Sequence, residues 1–195
     1  MITHIYRQKG PHCKSYALAY AIQDKFGIIP SGLQVGGYES ASLSFYNRAV
    51  PRGINSIEYF DYLQDHPFCK VQLGDKKKLY TKKIRAKTHK LPMMDIKEAI
   101  ASGDQLLFQI ELPERGLRNS LDDDGVFIPG KMRELSGHFV YCLGLGEEFG
   151  RTKSKYLKFA NSWGDDFGDR GFFYVKVTDL PKLVQSIYKI DLYKL

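Results

Sequence analysis

Cysteine is scarce in this chain. The three present among 195 residues, Cys13, Cys69 and Cys142, are an odd number too small for a disulfide framework. No Asn-x-Ser/Thr acceptor occurs either, so nothing argues for an oxidising compartment and cytoplasmic residence is the default expectation. Long apolar runs are also missing. The longest unbroken one, Tyr16 to Ile22, falls far short of the roughly 20 residues that cross a bilayer. The start Met1-Ile2-Thr3-His4 has no basic segment followed by an apolar one. No membrane span is therefore expected. Neither an internal repeat nor a low-complexity segment is found. No group of His, Cys and carboxylate residues has ligand spacing, so no metal or other cofactor is implied. The acidic run Asp122-Asp123-Asp124-Gly125 lacks the later positions of a calcium loop and reads as an exposed turn.

What is present describes a folded globule. Hydrophobic residues make up 43% and aromatics 13%, and the length suits one domain of two lobes with a substantial core. The net charge of +7 is local. Eight cations, Lys76, Lys77, Lys78, Lys82, Lys83, Arg85, Lys87 and Lys90, lie in one stretch without an acid, and without them the balance is about −1. A solvated surface is the simplest reading of this stripe, ahead of a patch for an anionic partner. A nucleic-acid partner is not expected.

Helical spacing dominates the first half. Leu18, Ile22 and Phe26 recur every four residues beside small Ala17 and Ala21, predicting a buried helix from Cys13 to Phe26 with Gly27 as its cap. A second helical pattern covers Ile54 to Leu63. Asp95-Ile96-Lys97-Glu98 has capping-box spacing before a short helix closed by Gly103. Strand patterns then follow: Gln105–Leu112, Phe139–Leu145, Lys155–Ala160, Phe172–Val177 and Ser186–Leu192. Helices first and strands later imply an α+β fold.

Three residues carry a candidate chemistry. Cys13 opens a helix after Gly10-Pro11, where the dipole and unpaired backbone N–H groups favour thiolate over thiol, although most free cysteines are merely buried and apolar. His138 opens an apolar run and by itself reads first as a core histidine. A catalytic thiol needs an imidazole within hydrogen-bond reach, and a third group to hold that ring by its other nitrogen. Asn161, in Ala160-Asn161-Ser162-Trp163-Gly164, can do so through its side-chain carbonyl without taking a proton. Trp163, the single tryptophan, would shield that contact from water or simply pack in the core.

These stretches resemble the papain-like cysteine proteases. Gln8 to Ala17 is similar to the family's glutamine-then-cysteine segment. Gly137-His138-Phe139-Val140 is similar to its histidine segment, and Tyr156 to Gly164 with Gly171-Phe172-Phe173 to its asparagine segment. The resemblance implies a helical lobe at about residues 8–88 and an antiparallel, barrel-like lobe at 89–195, together forming one catalytic domain with a cleft between the lobes. It implies Cys13 as nucleophile, His138 as acid/base and Asn161 as orienting residue. Gln8 and the Cys13 N–H would form the oxyanion hole, with Trp163 in support. The implied activity is hydrolysis of peptide or amide bonds through a thioester, with no cofactor. Peptide or protein substrates and proteinaceous inhibitors are the implied partners. An inactive peptide-binding relative and a thiol acyltransferase are the alternatives. The chain departs from the family in carrying Lys14 where an aromatic usually follows the cysteine. Gln8 also stands five residues before Cys13 rather than six.

Overall fold

A computed structural model describes residues 1–8, 13–27, 29, 71–72, 79–80, 84–146 and 156–194. The expected helix at Ile54–Leu63, His12 and most of the basic stripe lie outside the described residues.

Helix α1 spans Cys13–Phe26, as its four-residue spacing predicts. Every residue from Ser15 to Gln23 is buried, so the helix is enclosed on all sides rather than along one stripe. Its end is set by Gly27, whose φ of +64° places it in the left-handed region while its N–H bonds to Gln23 C=O at 2.8 Å. Two short strands, β1 (Val71–Gln72) and β2 (Leu79–Tyr80), pair with each other.

The remaining elements are β3 (Ile84–Leu91), α2 (Ile96–Ala101), β4 (Gln105–Pro113), β5 (Met132–Leu145), β6 (Tyr156–Ala160), β7 (Phe172–Lys176), α3 (Leu180–Leu183) and β8 (Val184–Lys194). Strands β3 to β8 form one antiparallel sheet in the order β3-β8-β4-β5-β6-β7. The last strand of the chain is thus inserted between the first two of this sheet. Strand β3 begins at Ile84, ahead of the expected start of the β-rich lobe. Asp95, expected to cap α2 with its side chain, makes no such bond; a 3-10 turn at Met93–Asp95 leads into the helix instead.

Strand alternation divides the core in two. Leu107, Phe139, Tyr141, Tyr188 and Ile190 pack with α1 in one buried cluster. Leu106, Phe108, Ile110, Val140, Phe159 and Phe173 point the other way, into a cluster closed by Ile96, Ala99, Leu180 and Leu183. Because the central strands are covered on both faces, burial holds their register in two directions at once. Helix α1 is anchored on the sheet by polar tips as well: the Tyr141 hydroxyl lies 2.8 Å from Asp24 Oδ2 and 2.7 Å from Gln105 Oε1.

Candidate active site

Cys13 is the first residue of α1, half-buried, and packs against the cluster that contains Phe139 and Ala160. Those two are the chain neighbours of His138 and Asn161. Cys142, buried in β5, is a different case. Burial pushes its thiol up to about 12, which leaves it an inert core residue. Cys69 lies outside the described residues.

His138 sits in β5 opposite Ile110 of β4 and is 4% exposed. Strand β5 begins at Met132, earlier than its apolar run suggests, so the histidine is held inside a strand rather than at its tip. Asn161 follows β6 directly. With Tyr141 paired to Ala160, continuing the register sets Trp163 opposite His138. The rings meet accordingly, with centroids 4.8 Å apart and planes tilted by 32°. Phe167 abuts Trp163 edge-on at 5.3 Å and completes the apolar cover.

The central contact is between His138 Nε2 and Asn161 Oδ1, at 2.8 Å in a fully buried setting. Asn161 Oδ1 also accepts the Ser162 N–H at 2.8 Å, which fixes the amide with its oxygen toward the ring. An acceptor there requires the proton on Nε2, leaving Nδ1 as the basic nitrogen. Burial is the dominant influence on the ring and pushes its pKa down to about 4, with the Asn161 bond pulling partly the other way. The Asn161 main-chain N–H donates to Gly171 C=O at 2.9 Å. Its Nδ2 is buried with no hydrogen-bond partner among the described residues.

Gln8 is joined to the same loop. Residues 6–8 run antiparallel to 162–164, with Gln8 N–H donating to Ser162 C=O at 2.6 Å, Gly164 N–H to Tyr6 C=O at 3.0 Å, and a bridge between Arg7 and Trp163. The Ser162 hydroxyl donates to Gln8 Oε1 at 2.6 Å. This bond holds the Gln8 side chain by its carbonyl oxygen. Sequence reading passed over Ser162, although its place between Asn161 and Trp163 was the available signal. It also missed Phe167, which looks like an ordinary apolar residue. Lys14 is half-buried.

The sequence matches a family model described as papain family cysteine protease over residues 34–184. That range contains His138, Asn161 and Trp163 and begins after Gln8 and Cys13. Comparison with curated proteins by sequence finds no match. Among solved structures the chain is similar to xylellain, a cysteine protease from Xylella fastidiosa. The TM-score is 0.63 and the identity 19%, over 97% of this chain and 82% of that one. It is also similar to the proform of the ragweed pollen allergen Amb a 11, a cysteine protease, with a TM-score of 0.63 and 18% identity. That match covers 96% of this chain and 61% of the proform, so the chain spans less than two thirds of the latter. At such identities the likeness to both is one of fold. No helix among the described residues is long and apolar enough to cross a membrane.

Proposed function

Given that this chain belongs to the papain family of cysteine proteases, we propose that it is a cysteine endopeptidase or related thiol hydrolase with Cys13, His138 and Asn161 as its working groups. The observation that supports this best is the buried His138–Asn161 bond of 2.8 Å beneath Trp163. A core histidine would also need an acceptor for its buried N–H; here the acceptor is an amide that cannot take the proton, which keeps it on Nε2 and leaves Nδ1 as the base.

In the reaction Cys13 passes its proton to His138 Nδ1, and the thiolate attacks the carbonyl carbon of the scissile bond. The carbonyl oxygen becomes an oxyanion, stabilised by the Gln8 side-chain amide and the Cys13 N–H. His138 then protonates the leaving amine, giving a thioester on Cys13 and a neutral ring. Water, deprotonated by the same ring, attacks the thioester; the C–S bond breaks, the acid leaves, and the Cys13 thiolate is restored beside the protonated ring, which can return the proton to it. Throughout, Asn161 holds the ring through Nε2 without changing charge. That suits a ring which alternates between neutral and protonated forms. The single domain of residues 1–195 carries all these groups, and peptide or protein chains are its substrates.

An epoxide or vinyl-sulfone thiol inhibitor tests the reading. Wild type should be labelled once, at Cys13, and should hydrolyse peptides from a broad library, whereas Cys13→Ala should do neither. Absence of labelling, or equal labelling of Cys13→Ala, removes the proposal. Labelling without turnover would favour a peptide-binding relative, and turnover rising with added amine would favour acyl transfer.

A further inference from the structure

We propose that Tyr20 is a positioning residue for this reaction: its buried hydroxyl pins the main chain of Asn161, and with it the group that holds His138, to the helix that carries Cys13. The inference rests on the hydrolase reading above for its kinetic consequence. Its structural basis is independent of that reading.

Tyr20 lies seven residues after Cys13 on α1, two turns along, so the two occupy the same stripe of the helix. Helical side chains lean toward the N-terminus, which brings the Tyr20 ring back toward the Cys13 end. The ring is 1% exposed and is held edge-on by Tyr6 at 5.0 Å. Its hydroxyl accepts the Tyr6 N–H at 2.9 Å and donates to the Asn161 C=O at 2.9 Å. Burial pushes the phenol pKa above its ordinary value, so the donor proton is retained.

The consequence follows from how little else steers Asn161. Its peptide groups are fixed at both ends, by Gly171 on the N–H side and by Tyr20 on the C=O side. Its side chain is held only through Oδ1, since Nδ2 finds no partner among the described residues. The aim of Oδ1 at His138 therefore depends on the main chain staying in place. Through Tyr6 the same hydroxyl also braces the segment that bears Gln8. One phenol on the nucleophile's helix thus ties together the strand of the oxyanion donor and the loop of the orienting amide.

Tyr141 provides the comparison. It too is a buried tyrosine whose hydroxyl meets α1, at Asp24, but that hydroxyl bonds Asp24 and Gln105 rather than Asn161. Tyr20→Phe and Tyr141→Phe should be assayed with rates taken per titrated active site, so that unfolded protein does not count. Tyr20→Phe should lower kcat by about 10- to 100-fold with KM within about threefold, as expected when a catalytic group is slightly misplaced. The NMR resonance of the His138 Nε2 proton should exchange faster in this variant. Tyr141→Phe, at a similar loss in Tm, should leave both unchanged. Replacing Tyr20 with 4-aminophenylalanine, which keeps a donor for the Asn161 carbonyl, should restore kcat to within about threefold of wild type.

A kcat of Tyr20→Phe within twofold of wild type, or an equal fall in Tyr141→Phe, overturns the proposal. Where Tyr20→Phe does not fold, the amino variant decides alone: a tenfold or larger loss of kcat overturns the proposal and near-wild-type kcat supports it. The proton resonance needs no turnover. An inactive wild type would therefore sink the hydrolase reading, while exchange in Tyr20→Phe at the wild-type rate would sink the clamp.

Discussion

Ser162 and Gln8 hold each other by two bonds of 2.6 Å, the serine hydroxyl donating to the glutamine side-chain carbonyl and the glutamine N–H to the serine main-chain carbonyl. They are 154 residues apart in sequence. The Asn-Ser-Trp-Gly stretch therefore holds both His138, through Asn161, and Gln8, through Ser162.

Ser162→Ala removes the donor that holds the Gln8 amide. A lost hydrogen bond of about 1.4 kcal/mol corresponds to about a tenfold fall in kcat/KM. Gln8→Ala, which deletes the proposed oxyanion donor, should cost about 10²–10³. Because Ser162 acts through Gln8, the double variant should be no slower than Gln8→Ala alone. Steady-state hydrolysis of a fluorogenic peptide amide by the three variants checks the order, and additive losses would show that Ser162 works elsewhere.

Trp163 covers the His138–Asn161 bond on one side and packs against Phe167 on the other. Trp163→Ala would let water compete for the Nε2 proton and leave a cavity, so kcat/KM should fall and Tm with it, by the order of 3 kcal/mol in stability. Trp163→Phe keeps an aromatic face over the imidazole and should retain more of both. Exchange of the His138 Nε2 proton, followed in both variants, separates loss of shielding from loss of packing.

Two glycines of the adjoining turn should respond differently to alanine. Gly168, at φ +51°, faces the main-chain carbonyl oxygen of Phe172, which a Cβ would strike. That oxygen accepts the Asp169 N–H and cannot retreat without opening the turn. Gly164, at φ +91°, faces the guanidinium end of the Arg7 side chain, which is exposed and held by surface pairing with Asp166. Both substitutions carry the left-handed penalty of about 1 kcal/mol or more. Gly168→Ala should lose at least about 1 kcal/mol beyond Gly164→Ala, read as the difference in urea midpoints.

The parts of the fold that were legible in sequence are those written locally. Cys13 to Phe26 carries its own periodicity and ends in a glycine that adopts the left-handed conformation. Asn161-Ser162-Trp163-Gly164 places an acceptor and a ring cover within one turn, so that part of the candidate site could be read from adjacent residues, while the role of Ser162 could not. The strand order could not. Strand β8 enters between β3 and β4 through pairings such as Thr88 with Ile190 and Leu107 with Tyr188, across about a hundred residues, and alternation records a strand's faces rather than its neighbours. The early start of β5 was hidden because Arg133, Glu134 and Ser136 are polar, while β4 pairs with β5 on either side of them, at Met132 and Gly137. Tyr20 was hidden for the opposite reason. In an apolar helix a tyrosine reads as bulk, and only the folded chain reveals where its hydroxyl ends.

The buried imidazole also makes acid sensitivity a test of its partner. In Cys13→Ala no thiolate can face the ring, so burial, opposed in part by the Asn161 bond, governs His138, with a folded-state pKa of about 4 against an unfolded value near 6.5. The unfolded chain then binds the proton more readily. The stabilising contribution is complete above the unfolded value and is lost as pH falls from about 6.5 through 4, by an amount on the order of 3 kcal/mol. The urea midpoint of Cys13→Ala should fall across this window more than that of Cys13→Ala/His138→Gln, where the titrating group is gone. In wild type a thiolate beside the ring would favour the imidazolium and raise the pKa of His138. Its titration, followed by NMR, should therefore lie above that of Cys13→Ala. Identical titrations in the two proteins would mean that Cys13 carries no charge next to His138, and the ion-pair mechanism would fail with them.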